Sequence, residues 1–182
     1  MTLRPGGPDD VEPLRAILAE PTVTTWWGTP QPAGTIAAKL GGGQPVLLVI
    51  EIGGQVAGGI QYHEERDPTY FHAGIDIYLT AGQQGHGAGP EAIALLAEFL
   101  FDRRGHHRIT IDPALANHRA IASYRKAGFR PVGVLRQYER GPDGQLRDGL
   151  LMELLRTDLI DSPPIPRPAD CAREGRWPCA RE

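Results

Sequence analysis

The sequence predicts an α+β fold, a mixed but mainly antiparallel sheet of six to seven strands flanked by about four helices. Two observations carry this. Short β-branched runs bounded by turn residues recur along the chain, clearest where Val46 to Ile52 meets Gly53-Gly54 and returns as Gln55 to His63. Segments with apolar residues at helical spacing fall before these strands and again between later ones. At 182 residues and 41% hydrophobic content the chain can bury one core, and no internal repeat divides it.

Leu3 to Pro5 reads as a short first strand. Asp9-Asp10 can cap a helix reaching Leu18, with Val11, Leu14, Ile17 and Leu18 on one face. Pro21 to Pro32 holds three prolines, Gly28 and the pair Trp26-Trp27, and reads as loop. Thr35 to Leu40 is a short helix stopped by Gly41-Gly42-Gly43. After the hairpin, Glu64 to Pro68 reads as a polar turn and Tyr70 to Thr80 as a long strand. A helix follows from about Pro90 to Asp102, then a strand from Arg108 to Ile111. Asn117 caps a helix over 118–126, and Gly128 ends it in the left-handed conformation. Phe129 to Arg136 and Gly149 to Leu155 are the last strands, with a turn at Asp143-Gly144.

Composition excludes several classes. A net charge of −3 lacks the basic surplus of a nucleic-acid binder. No apolar run reaches the roughly 20 residues that span a bilayer, so no membrane role is expected. Met1-Thr2-Leu3-Arg4-Pro5 has no secretory apolar core. The cysteines, Cys171 and Cys179, both lie near the end, so no disulfide framework is expected in the folded part; a cytoplasmic location is the expectation. No Cys/His cluster has ligand spacing, so no metal is expected, and His106-His107 read as surface residues. The expected domain covers 1–160. From 161 to 182, Pro163, Pro164, Pro166, Pro168 and Pro178 point to an extended or disordered tail, in which Trp177 is the one residue able to anchor it.

The most informative stretch is Gly74-Ile75-Asp76-Ile77-Tyr78-Leu79-Thr80-Ala81-Gly82-Gln83-Gln84-Gly85-His86-Gly87-Ala88-Gly89-Pro90. It reads strand, glycine loop, helix start. The first N–H groups of a helix lack intrahelical partners and carry the positive end of its dipole, so this geometry suits an anion. No Lys follows the glycines, which excludes a Walker loop, and the third glycine comes too early for a dinucleotide fingerprint. Gln84 to Gly89 fits Q/R-x-x-G-x-G instead. This resembles the acyl-CoA pyrophosphate loop of GCN5-related N-acetyltransferases (GNAT). An ordinary glycine turn ahead of a helix is the alternative.

A second block supports the resemblance. Asn117-His118-Arg119-Ala120-Ile121-Ala122-Ser123-Tyr124-Arg125-Lys126-Ala127-Gly128-Phe129 is similar to the N-x-x-A/S-I-x-x-Y-x-K-x-G-F block that follows the glycine loop in that superfamily. Within it, Trp26-Trp27-Gly28, Gly74-Ile75-Asp76, Thr110-Ile111-Asp112-Pro113 and Tyr124 to Phe129 resemble aminoglycoside 6'-N-acetyltransferases. Gly133 to Arg136 and Arg147 to Met152 resemble equally the enzymes that acetylate ribosomal-protein N-termini, and siderophore lysine acetyltransferases share part of the pattern.

The resemblance implies a GNAT fold and acetyl-CoA as co-substrate. It places the pyrophosphate on the amides of Gly85, His86, Gly87, Ala88 and Gly89 beside Gln84, and the pantetheine on the backbone of Ile77, Tyr78, Leu79 and Thr80. Asp76 would bind the acceptor ammonium and take its proton; an Asp between Ile75 and Ile77 is out of place in a strand unless it has a task. Tyr124 would protonate the leaving thiolate, or else be a core tyrosine. Asn117 would touch the cofactor arm or simply cap its helix. Asp112 would be a second carboxylate near the acceptor, or a turn former before Pro113; Trp26 and Trp27 would wall the acceptor pocket. Glu64, Glu65 and Asp67 read as a solvated acidic turn. The expected function is acetylation of a primary amine on a small polycation, foremost an aminoglycoside, by a monomer or homodimer. Protein N-terminal or polyamine acetylation and a catalytically silent ligand-binding module are the alternatives.

Overall fold

A computed structural model describes residues 1–141 and 143–160. The proline-rich stretch expected to form a tail lies outside these residues. Seven strands form one sheet: β1 Thr2–Pro5, β2 Val46–Ile52, β3 Gln55–Glu65, β4 His72–Leu79, β5 Arg108–Ile111, β6 Arg130–Arg140 and β7 Leu146–Leu155. The spatial order is β1-β2-β3-β4-β5-β7-β6. All neighbours run antiparallel except β4 and β5. The helices are α1 Val11–Leu18, α2 Pro21–Trp27, α3 Ala33–Leu40, α4 Ala88–Asp102, α5 His118–Lys126 and α6 Arg156–Ile160.

The sheet is covered on both faces. Alternation along β2 shows how: Leu48 and Ile50 join a core with α4 and α5, while Leu47 and Val49 join a second core with α1, α2 and α3. The second face carries the four apolar residues expected on α1, all buried. Gly53 and Gly54 both have positive φ, as a tight hairpin turn requires. The Asn117 side chain accepts from the Ala120 N–H at 3.1 Å, which fixes the start of α5.

Several expectations need correction. Six α-helices occur among the described residues, against about four expected. Pro21 to Trp27 is a helix, not loop: Pro21 occupies the first turn, where its missing N–H has no cost. Glu20 just before it accepts from the Thr80 hydroxyl and the Ala81 N–H, both at 2.6 Å, and so docks α2 on the end of β4. The first helix is preceded by a 3-10 turn at Pro8–Asp10, and the Asp10 carboxylate accepts from the Gly7 N–H at 2.8 Å.

Glu64 is not in a solvated turn. It is part of β3, with its side chain only 3% exposed. Arg104 donates to it twice, at 2.9 and 2.7 Å, Arg66 at 2.9 Å, and His106 Nε2 at 2.9 Å. His106 is therefore a core residue and not a surface one, stacked on Phe71 with ring centroids 4.2 Å apart. Burial would raise the Glu64 carboxyl, but the hydrogen bonds from Arg104, His106 and Arg66 outweigh it and hold it down to about 2.

Candidate active site

The site lies where β4 and β5 part. Their parallel pairing is limited to Ala73↔Ile109 and Gly74↔Thr110. β4 continues to Leu79 with its other edge on β3, so beyond Gly74 its β5-side edge has no strand partner. A cleft of about 950 Å³ opens there, between α2, the glycine loop, the segment after β5 and α5.

Register decides which side chains meet. Gly59↔Tyr78, Gln61↔Asp76 and His63↔Gly74 are direct cross-strand pairs on the face that carries α1 to α3. Each glycine makes room for its partner: a methyl group on Gly59 would collide with the Tyr78 ring, and one on Gly74 with the His63 imidazole. Trp27 meets Tyr78 edge-on, with centroids 4.9 Å apart. The Tyr78 hydroxyl is buried without a hydrogen-bond partner.

Asp76 accepts from Gln61 Nε2 at 2.9 Å. Burial raises its carboxyl above the ordinary value, and neighbouring Asp112 adds to this; Gln61, His63 and Lys39 pull the other way. Asp112 accepts from the Tyr138 hydroxyl at 2.9 Å. Tyr138 gets there through a bulge: from Leu135 to Glu139 β6 advances four residues while β7, from Gly149 to Arg147, advances two. Gln137 in this bulge has a φ of 53° and its N–H donates to Asp148 at 2.8 Å. The next residue but one, Glu139, also lines the cleft. Its carboxyl is raised by burial and, in part, by Asp112.

Tyr124 on α5 is buried and lines the same cleft. Burial pushes its hydroxyl well above the usual tyrosine value, with Asp76 and Asp112 adding to the effect, so it stays protonated as a donor. At the other end, Gly85 and Gly87 have φ of 84° and 89°, a conformation that favours glycine. Gln84 ties this loop down: Nε2 donates to the Leu79 carbonyl at 2.9 Å, and Oε1 accepts from Arg119 at 3.3 Å.

The structure gathers Trp26, Trp27, Asp76, Ile77, Tyr78, Leu79, Gln84, Gly85, Gly87, Gly89, Asp112, Asn117 and Tyr124 around this one cleft. Thr80, His86 and Ala88 are not in its wall. The Thr80 hydroxyl is engaged by Glu20, His86 is exposed on the loop, and Ala88 turns into the core at the start of α4. Sequence reading missed Gln61, Arg119, Tyr138 and Glu139. Only Gln61 left a signal, as a polar residue within an apolar strand.

The chain belongs to the acetyltransferase (GNAT) family, whose model matches residues 12–129. It is 30% identical over 164 residues to the aminoglycoside N(6')-acetyltransferase type 1 of Klebsiella pneumoniae, covering 79% of each chain. The crystal structure of aminoglycoside acetyltransferase AAC(6')-Ib in complex with coenzyme A superposes with a TM-score of 0.71 at 27% identity, covering 87% of this chain and 96% of that one. A ribosomal-protein-alanine N-acetyltransferase from Brucella melitensis superposes with a TM-score of 0.69 at 25% identity, covering 85% and 99%. The chain is thus an N-acetyltransferase. No helix among the described residues is long and apolar enough to cross a membrane.

Proposed function

We propose that this enzyme transfers the acetyl group of acetyl-CoA to a primary amine of a small polycation, foremost the 6'-amine of an aminoglycoside, by direct attack in a ternary complex. The observation that carries this reading is one cleft with carboxylates Asp76, Asp112 and Glu139 at one end and a glycine-rich helix start at the other. The named aminoglycoside acetyltransferases at 27–30% identity support it.

The residues present fit acetyl-CoA. The loop at Gly85 and Gly87 leads into the first turn of α4, whose free N–H groups suit a pyrophosphate. The Arg119 guanidinium lies 3.0 Å from where a Gly85 side chain would begin, and adds positive charge at that end. The open edge of β4 offers peptide groups to the pantetheine amides, and acetyl-CoA supplies an activated acyl carbon. Asp76 binds the acceptor ammonium and takes one proton as the amine attacks. The C–N bond forms, the C–S bond breaks, the Tyr124 hydroxyl donates a proton to the departing thiolate, and the second proton lost by the attacking nitrogen restores the Tyr124 hydroxyl. Holding both reactants in one cleft supplies roughly 7–11 kcal/mol of barrier reduction. Asp112 and Glu139 draw in further ammonium groups, with Trp26 and Trp27 as the wall.

Thiol release from acetyl-CoA, measured with kanamycin or tobramycin, tests this. No rate above background sinks it. Acetylation of N-terminal peptides or spermidine, with none of aminoglycosides, selects the rival reading that the likeness to a ribosomal-protein-alanine acetyltransferase favours.

A further inference from the structure

Asp76 does not stand alone. Gln61 is its direct partner in the β3–β4 register, so both side chains leave the sheet on the same face. The Gln61 side chain is buried, and its Nε2 donates to Asp76 Oδ2 at 2.9 Å. Its Oε1 accepts from Lys39 Nζ at 3.1 Å. Lys39 comes from the last turn of α3, an element with no residue in the cleft wall.

A buried carboxamide has two faces of opposite polarity. Turned one way it gives Asp76 a donor; turned the other way it sets a carbonyl oxygen against the carboxylate. Lys39 removes the ambiguity, because an ammonium can only donate. With Oε1 held by Lys39, Nε2 must face Asp76. We propose that Lys39 and Gln61 are positioning residues for Asp76: the ammonium orients the amide, and the amide holds Oδ2 so that Oδ1 is presented to the acceptor amine.

The relay sits among other charged and titratable groups. His63 faces Asp76 from β3, Asp112 from the end of β5, Tyr124 from α5 and Tyr138 from the β6 bulge. Asp112 disfavours the ionised carboxylate, while Gln61 and Lys39 of the relay, with His63, favour it. Removing the Gln61 donor, or freeing the amide to turn, therefore raises the carboxyl pKa of Asp76. Burial already holds Lys39 below the usual lysine value, with Asp76 opposing that. The ammonium is thus tuned by the carboxylate it serves.

The proposal rests on the reading that Asp76 activates the acceptor amine, and the two can be tested apart. The side-chain carboxyl of Asp76 is titrated by NMR in the full chain with carbon-13 aspartate, its signal assigned by loss in Asp76→Asn. Gln61→Leu is expected to move the midpoint up by about one unit or more, since a hydrogen bond to a carboxylate is worth that much, and Lys39→Met, which frees the amide to turn and removes a positive charge, is expected to move it in the same direction. Lys39→Arg, which keeps a cationic donor, is expected to restore most of the wild-type value. Lys39→Met changes a half-buried helix end and keeps the stem packing, so it remains informative if Gln61→Leu fails to fold. An unchanged midpoint in Lys39→Met, or one that Lys39→Arg does not restore, overturns the relay. The same variants are assayed with kanamycin: the acid limb of kcat/KM is expected to follow the NMR midpoint, with KM for acetyl-CoA unchanged. A shifted midpoint with an unshifted rate profile leaves the relay standing and removes Asp76 from the chemistry.

Discussion

His106 Nε2 and Glu64 Oε1 lie 2.9 Å apart with both side chains out of water, joining the turn after α4 to the end of β3. The contact spans 42 residues of sequence, and Arg104 and Arg66 complete it.

This cluster contributes to acid stability. The Glu64 carboxyl is depressed in the folded protein, so its contribution is fully present above the ordinary glutamate pKa. It is lost as pH falls from there through about 2. Urea unfolding midpoints are expected to decline across that window more steeply in wild type than in Glu64→Gln. At neutral pH, Glu64→Ala leaves the Arg104 charge and the His106 ring without their acceptor, with an expected loss of about 3–5 kcal/mol. Denaturant titration measures it.

Asp76→Asn is expected to lower kcat by about 10²–10⁴ with kanamycin as acceptor, the usual contribution of a positioned base. Coenzyme A affinity by calorimetry is expected to stay within about twofold, since one tenfold step is already 1.4 kcal/mol. Unchanged kcat would remove Asp76 from the reaction.

The pH dependence follows from the direction of the shift. The working form of Asp76 is the carboxylate, and burial with Asp112 nearby raises its pKa. Activity is therefore expected to fall on the acid side at a pH above the ordinary aspartate value. Asp112→Asn is expected to move that limb down, because one neighbouring negative charge is gone. A kcat/KM profile in both proteins decides it.

Tyr124→Phe keeps the ring packing and removes one proton donor. A fall in kcat of about 10²-fold is expected, with thermal stability nearly unchanged. Equal kcat would leave Tyr124 as a core residue only.

Gly59→Ala places a methyl carbon 2.6 Å from the Tyr78 Cζ and Oη, and Trp27 blocks the escape of that ring. Destabilisation of about 1–3 kcal/mol is expected from overpacking. The loss is expected to shrink when Tyr78 is shortened to Leu in the same chain, as a double-mutant cycle would show.

Much of the fold was legible because local signals sufficed. Val46–Ile52 is apolar but for Glu51, Arg108–Ile111 carries three β-branched residues in a row, and Asn117 with Gly128 brackets α5. Elsewhere tertiary partners overrode local pattern. Prolines and tryptophans made α2 look irregular, yet its docking comes from Glu20 reaching across to Thr80 and Ala81. His106 looked superficial because its partner is on another strand. Asp76, Asp112, Tyr124 and the glycine loop stood in recognisable blocks. Gln61, Tyr138 and Glu139 did not, since a cross-strand register and a bulge bring them in.

Two shared positions are all the strand pairing between the four-stranded half of the sheet and the three-stranded half. Whatever lies along the bare margin of β4 serves as the missing rung between them. The empty enzyme is expected to breathe along this seam, so that amides of Ile77 to Leu79 exchange with deuterium sooner than those of the fully flanked Leu48 to Ile50. Saturating acetyl-CoA should close the difference, and the molecule that is consumed would double as the staple holding its consumer shut.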